Sequence, residues 1–171
     1  MTEAVIRRAG AADAEALARI AADTFVAAFG ALYAPADLED FLRDTHGLEA
    51  TRRELADPAV GAWLMEVDGT PVGYALAGAC TLANPEVTAA CGELKRIYLL
   101  PAWQGGGRGS RLLEAALAWL ERDGPRRLWI GVYSGNLAAQ RLYARHGFEK
   151  VGEHAFVVGG HRDLEFTLRR G

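Results

Sequence analysis

The chain has 171 residues, half of them hydrophobic and 24% charged, with a formal net charge of −3. That composition fits one domain over 1–171 with a sizeable core, and its weak acidity argues against a nucleic-acid surface while leaving room for a cationic substrate. No apolar run approaches the ~20 residues that span a membrane, and the start, MTEAVIRRAG, lacks the apolar stretch of a secretory signal. Cys80 and Cys91 read as reduced thiols without a partner at metal-ligand spacing. A cytoplasmic protein with no metal and no membrane partner is expected.

In chain order, AVIRRA (4–9) is a short strand. Leu17, Ile20, Thr24 and Ala28 recur at helical spacing and predict a helix over 12–29. Pro35 opens a second helix, with Leu38, Phe41 and Leu42 on one face, and a third over 49–56 stops at Asp57-Pro58. GAWLMEV (61–67), the turn Asp68-Gly69 and PVGYALAGACTL (71–82) read as a hairpin, followed by a loop over 83–92. GELKRIYLL (92–100) is a strand. After QGGGRG (104–109), Leu112, Leu113, Ala116, Leu117 and Leu120 mark one face of a helix that ends near Asp123-Gly124-Pro125. RRLWIGVY (126–133) is a strand, and 136–147 is a helix capped by Asn136 and stopped by Gly147. FEKVGEHAFVV and RDLEFTLRR are closing strands joined by Gly159-Gly160, a favoured hairpin turn.

Four glycines in the six residues QGGGRG are a heavy entropic cost for one short stretch. The stretch lies between a strand and the start of an amphipathic helix. There the N–H groups are unpaired and the macrodipole is positive. Glycines at that spot let an anion approach, as in a phosphate cradle, and Arg108 adds a full charge. A tight turn without a ligand fits the glycines equally well. A Walker A loop does not, because no Gly-Lys-Ser/Thr follows, and the acidic residue of a dinucleotide fold is missing.

Gln104-x-x-Gly107-x-Gly109 is followed by Asn136-x-x-Ala139-x-x-Leu142-Tyr143-x-x-x-Gly147-Phe148. Together they resemble the GNAT superfamily of acyl-CoA-dependent N-acyltransferases, and the order of elements matches over nearly the whole chain. The resemblance implies an α/β (α+β) fold: a mixed, mostly antiparallel central sheet with helices on both faces and a splayed, bulged strand at the CoA site. It implies acetyl-CoA as co-substrate. Its pyrophosphate would be wrapped by amides from Gln104 through Gly105, Gly106, Gly107, Arg108 and Gly109 to Ser110, and its pantetheine arm would pair with the strand at Ile97 and Leu99. Asn136 is expected to cap its helix, touch the pantetheine, or do both. The family carries Lys or Arg directly before Gly107, where this chain has Gly106; a looser loop is expected unless Arg108 compensates.

Acyl transfer to an amine needs a group that removes a proton, a donor to the carbonyl oxygen, and an acid for the departing thiolate. At neutral pH only about one alkyl amine in a thousand is free. By the resemblance Tyr143 is the acid, although a tyrosine between Leu142 and Phe148 also reads as core. Glu93 stands where several members keep a base, and a surface carboxylate at a strand end is the plainer alternative. Backbone N–H near Leu99 would polarise the carbonyl. No role is assigned to the four histidines: His146 is expected to be exposed, His154 and His161 to flank the acceptor entrance, and His46 to lie on the opposite wall.

The stretches DTFVAAFG (23–30) and GEHAFVVGG (152–160) lie outside the CoA motifs and, with 92–104 and 129–148, are most similar to the PaiA-type polyamine N-acetyltransferases. The resemblance implies a small-molecule amine such as spermidine or spermine as acceptor. Phe25, Phe29 and Phe156 would line its methylenes, and carboxylates from among Glu93, Asp163 and Glu165 would hold a second ammonium. Acetylation of a protein N-terminus, a lysine or another small amine is a second reading, a non-catalytic acyl-CoA sensor a third. A homodimer stays open.

Overall fold

The computed structural model describes residues 3–171. Seven strands form one sheet in the order β1-β2-β3-β4-β5-β7-β6. They are β1 (Val5–Arg8), β2 (Gly61–Val67), β3 (Thr70–Ala79), β4 (Gly92–Leu99), β5 (Leu128–Tyr133), β6 (Glu149–Val158) and β7 (His161–Arg170). Only β4 and β5 run parallel; every other pairing is antiparallel. Five α-helices accompany them: α1 (Ala14–Phe29), α2 (Pro35–His46), α3 (Leu48–Ala56), α4 (Arg108–Leu120) and α5 (Leu137–Arg145). The mixed α/β architecture is the one the sequence implied.

Strand alternation decides which helix covers which face. In β2, Trp63, Met65 and Val67 point to one side and join Leu112, Leu113, Ala116 and Leu120 of α4. Ala62 and Leu64 point to the other and join Leu17, Ile20 and Ala21 of α1. Helices therefore cover both faces. A third cluster, at the end of the sheet, is aromatic: Phe25 of α1, Tyr33 and Phe41 around α2, and Phe156 of β6.

Two strand ends differ from expectation by more than one residue, and each has a local cause. The strand predicted to reach residue 82 stops at Ala79. Thr81 turns its N–H away from the ladder and donates it to the Glu93 carboxylate at 3.0 Å. The strand predicted from 126 begins at Leu128, since Arg126 swings out to donate its Nε to the Ala90 carbonyl at 2.9 Å.

His46 closes α2 inside the aromatic cluster, with its ring centroid 5.3 Å from that of Phe25. Its Nδ1 lies 2.6 Å from Thr45 Oγ1, and its buried Nε2 has no partner among the described residues. Burial, aided by the Arg96 charge, pushes its pKa down from 6.5 to about 3. The folded chain thus resists a proton that the unfolded chain takes up below about pH 6.5. Stability is therefore lost on acidification, by ~1.4 kcal/mol per pH unit at most. We expect the melting temperature to fall from pH 6.5 to pH 5, by the equivalent of about 1.6 kcal/mol, and His46→Phe to reduce that fall. Calorimetric melts of both proteins at the two pH values check it.

Candidate active site

β4 and β5 hold together for only three pairs, Gly92↔Leu128, Glu93↔Trp129 and Leu94↔Ile130. The next residue, Lys95, is a bulge: β3 pairs Ala77 with Leu94 but Leu76 with Arg96. Beyond it β4 follows β3 to Gly73↔Leu99, while β5 follows β7 to Tyr133↔Glu165. The gap between them is a narrow space of ≈ 40 Å³ whose walls include Ile97, Tyr98, Tyr133, Tyr143 and Glu165. It shares walls with a cleft of ≈ 370 Å³ on one side and a cavity of ≈ 330 Å³ on the other.

The cleft holds most of the predicted cofactor residues. Ile97, Leu99, Gln104, Gly105, Gly107, Gly109, Ser110, Asn136 and Tyr143 line it. Gly105, Gly106 and Gly107 have φ of 86°, 64° and 78°. Three successive residues are thus in the left-handed region that only glycine occupies freely. A Cβ at Gly105 or Gly107 would meet nothing within 4 Å, so the loop's open side faces the cleft at the start of α4. This is the form of an anion cradle, and it fits a pyrophosphate. Gln104 Nε2 anchors the loop to the Leu99 carbonyl at 3.2 Å. Asn136 caps α5, its Oδ1 accepting from Ala139 N at 3.1 Å.

Two predicted contacts change. Neither Gly106 nor Arg108 is on the cleft wall. Arg108 folds back over its own loop, with its guanidinium 5.4 Å from the Trp103 ring centroid and Nη1 donating to the Gly105 carbonyl at 3.3 Å. A Cβ at Gly106 would come within 3.0 Å of that Nη1. Arg108 therefore braces the glycines.

Tyr143 is buried, and burial pushes its phenol well above the ordinary value. It faces both the cleft and the gap, and its hydroxyl makes no hydrogen bond among the described residues. Such a phenol stays protonated at neutral pH.

The cavity holds the predicted acceptor residues Phe25, Phe29, Glu93 and Phe156. Glu93 is buried, not at the surface. Its Oε1 accepts from Thr81 N at 3.0 Å and from Lys95 Nζ at 3.2 Å, leaving Oε2 without a partner among the described residues. Asp163 accepts from Tyr33 Oη at 2.7 Å and lies 2.9 Å from His161 Nε2. Glu165 lies 2.9 Å from His154 Nε2, and His154 Nδ1 lies 2.8 Å from Thr167 Oγ1. Burial pushes the Glu165 carboxyl up, and the charges of Asp163 and Glu93 add to that. His154, expected only near the entrance, is in the cavity wall, as are Tyr33, Phe41 and Tyr133, none of which was expected at the site. His146, expected to be exposed, is half-buried, with Nδ1 2.9 Å from the Leu142 carbonyl oxygen.

Residues 15–148 match the family model described as Acetyltransferase (GNAT) family. The chain belongs to that family. It is an acetyl-CoA-dependent N-acetyltransferase, and the cradle at Gly105–Gly107 suits its co-substrate. An uncharacterized N-acetyltransferase of Lactobacillus delbrueckii subsp. lactis is 32% identical over 88% of this chain and 87% of its own. Another, of Mycobacterium bovis, is 32% identical over 92% of this chain and 97% of its own. The crystal structure of PaiA N-acetyltransferase from Thermoplasma acidophilum in complex with coenzyme A superposes with a TM-score of 0.77, covering 98% of each chain at 19% identity. That likeness is one of fold.

Gly107→Glu places bulk and negative charge on the open side of the cradle and forces a non-glycine residue to φ near +78°. We expect acetyl-CoA affinity to fall by at least ~tenfold, the equivalent of one lost charge-assisted contact. Titration calorimetry on the folded variant checks it; unchanged affinity removes the loop from the binding site.

Proposed function

We propose that this N-acetyltransferase acetylates a primary amine of a polyamine such as spermidine or spermine. The observation that carries the reading is the cavity beyond the gap, where aromatic walls surround three carboxylates, Glu93, Asp163 and Glu165. Its cations are already engaged: Lys95 with Glu93 at 3.2 Å and Arg96 with Glu54 at 3.5 Å. Asp163 and Glu165 are left facing the space with only neutral or titratable partners, so the field inside favours a cation. Phe25, Phe29 and Phe156 offer apolar faces to a methylene chain and ring faces to an ammonium. Similarity to PaiA-type stretches in the sequence points the same way.

The residues divide the work along the path from cavity to cleft. Glu93 Oε2 and the β7 carboxylates attract the acceptor as an ammonium and lie within the region where its proton must go. The amides of β4 around Leu99 donate toward the cleft. The Tyr143 hydroxyl supplies a proton to the departing thiolate of coenzyme A.

A diamine gains one more charge-assisted contact than a monoamine, worth ~1.5–3 kcal/mol when desolvated. We expect kcat/KM for spermidine to exceed that for butylamine by about ten- to a hundredfold at low ionic strength. A CoA-release assay with spermidine, butylamine, an aminoglycoside, an amino acid and a short peptide decides. If the peptide wins, the acceptor is a protein terminus, and if nothing turns over while acetyl-CoA binds, the chain is a sensor. Tyr143→Phe should lower kcat by ~10², the lower end of general-acid effects, with little change in KM for acetyl-CoA. A wild-type kcat would leave Tyr143 as a packing residue.

A further inference from the structure

We propose that the proton of the acceptor ammonium is taken by Glu165, with His154 and Thr167 as its positioning residues, and that Glu93 holds the acceptor's charge rather than receiving its proton. This rests on reading the cavity as the acceptor site, not on the acceptor being a polyamine.

The first argument is place. Glu93 lines the cavity but not the gap, and Tyr143 lines the gap but not the cavity. Glu165 lines both. Of the three carboxylates it alone faces the space that holds the Tyr143 side chain, where the amine must meet the thioester. Asp163, two residues back on the same face of β7, faces only the cavity.

The second is hydrogen-bond geometry. Glu165 Oε1 is occupied by His154 Nε2 at 2.9 Å, and Oε2 has no partner among the described residues. If Thr167 Oγ1 donates to His154 Nδ1 across their 2.8 Å contact, His154 carries its hydrogen on Nε2 and donates it to Glu165. The carboxylate is then fixed at one oxygen and open at the other. An ammonium N–H beside Oε2 gives up its proton: the N–H bond breaks, an O–H bond forms, and the electron pair stays on nitrogen as the nucleophile.

The third is the space reserved for the pair. Gly131 of β5 lies across from it, and a Cβ there would sit 3.2 Å from Glu165 Oε1, His154 Cε1 and His154 Nε2. A side chain at 131 would push on the dyad itself.

The surroundings set the direction of its titration. From β7 comes Asp163, and from β4 come Glu93, Lys95, Arg96 and the Tyr98 phenol. Tyr133 of β5 and Tyr33 complete the wall, and Tyr143 of α5 joins at the gap. His46 across the cavity stays uncharged through burial. Burial raises the Glu165 carboxyl, the His154 hydrogen bond opposes this, and Asp163 and Glu93 raise it further. A raised carboxyl suits a base working near neutral pH. Activity should fall on the acid side as the pair fills with its proton.

The test is the pH profile of kcat/KM, with spermidine as acceptor, in four proteins. Wild type should show an acid limb. Glu165→Gln should lower kcat/KM at pH 7 by ~10² or more, lose that limb, and regain rate at high pH as free amine accumulates in solution. Glu93→Gln should keep the limb and move it to lower pH, because one negative charge beside Glu165 is gone, while KM for the acceptor rises. His154→Gln, whose amide can still donate to Oε1, should retain more rate than His154→Phe. Acetyl-CoA affinity by calorimetry, equal to wild type, certifies each fold, and the Glu93→Gln shift reads Glu165 intact should Glu165→Gln not fold. A Glu165→Gln protein with the wild-type limb, or a Glu93→Gln protein without one, overturns the proposal in favour of Glu93. If wild type ignores spermidine but acetylates another amine of the panel, the polyamine reading falls, and the same profiles with that amine still decide the role of Glu165.

Discussion

A strand that leaves its neighbour strips a row of backbone N–H and C=O groups of their partners, and such groups must find others. Everything functional here depends on the parting of β4 from β5 after Leu94. Two constraints enforce it. The bulge at Lys95 bends β4 toward β3, and the unbroken register from Leu128↔Arg170 to Tyr133↔Glu165 binds β5 to β7. Because β4 and β5 are parallel, both of their C-terminal ends open at the same edge. The chain then leaves β4 into the glycine loop and α4, and leaves β5 into Asn136 and α5. The two helix starts therefore flank the one gap, and the cleft and the cavity share its walls.

The glycine loop shows a similar economy. A non-glycine residue in the left-handed region costs roughly 1–2 kcal/mol, and three in succession would cost several. The sequence meets this with Gly105, Gly106 and Gly107, and the consequence is a segment with little conformational restraint of its own. Arg108 restores some restraint by stacking on Trp103 and bonding back to Gly105. The charge that looks in the sequence like an anion ligand is engaged with its own loop, so the open side of the cradle presents backbone amides and the start of α4.

Most of the fold was legible because its signals are local. The hydrophobic faces of α1 and α4, the Asn136 cap and the Asp68-Gly69 and Gly159-Gly160 turns each follow from neighbours in sequence. The cofactor cleft was legible for the same reason: its residues sit in two short motifs. The acceptor side was less so, because it is assembled from α1, α2, β4 and the β6–β7 hairpin. One of its features was nonetheless within reach. A two-residue turn at Gly159-Gly160 places Val158 opposite His161, which puts Phe156 opposite Asp163 and His154 opposite Glu165. Directly opposed residues share a face, as do alternate residues of one strand. All four were thus bound to stand together, and only which face they shared needed the three-dimensional structure. The posture of Arg108 was not legible, for the opposite reason: whether an arginine turns outward or back depends on Trp103, and no periodicity reports that.

The bulge also sets the charge balance of the cavity. In a regular strand Lys95 and Arg96 would point to opposite faces. The extra residue at Lys95 lets both line the acceptor cavity. Two cations beside the proposed site of a cationic acceptor would repel it if free. Each is tied down: Lys95 by Glu93 and Thr81 Oγ1, Arg96 by Glu54 and the Thr45 carbonyl. The cancellation is local and leaves the β7 carboxylates unopposed. Glu93, close as it is, has its charge partly committed to Lys95, whereas Glu165 has the His154 imidazole as its partner. Two carboxylates lining one cavity thus acquire different surroundings from their neighbours, one beside a fixed ammonium and the other with its proton affinity raised by burial.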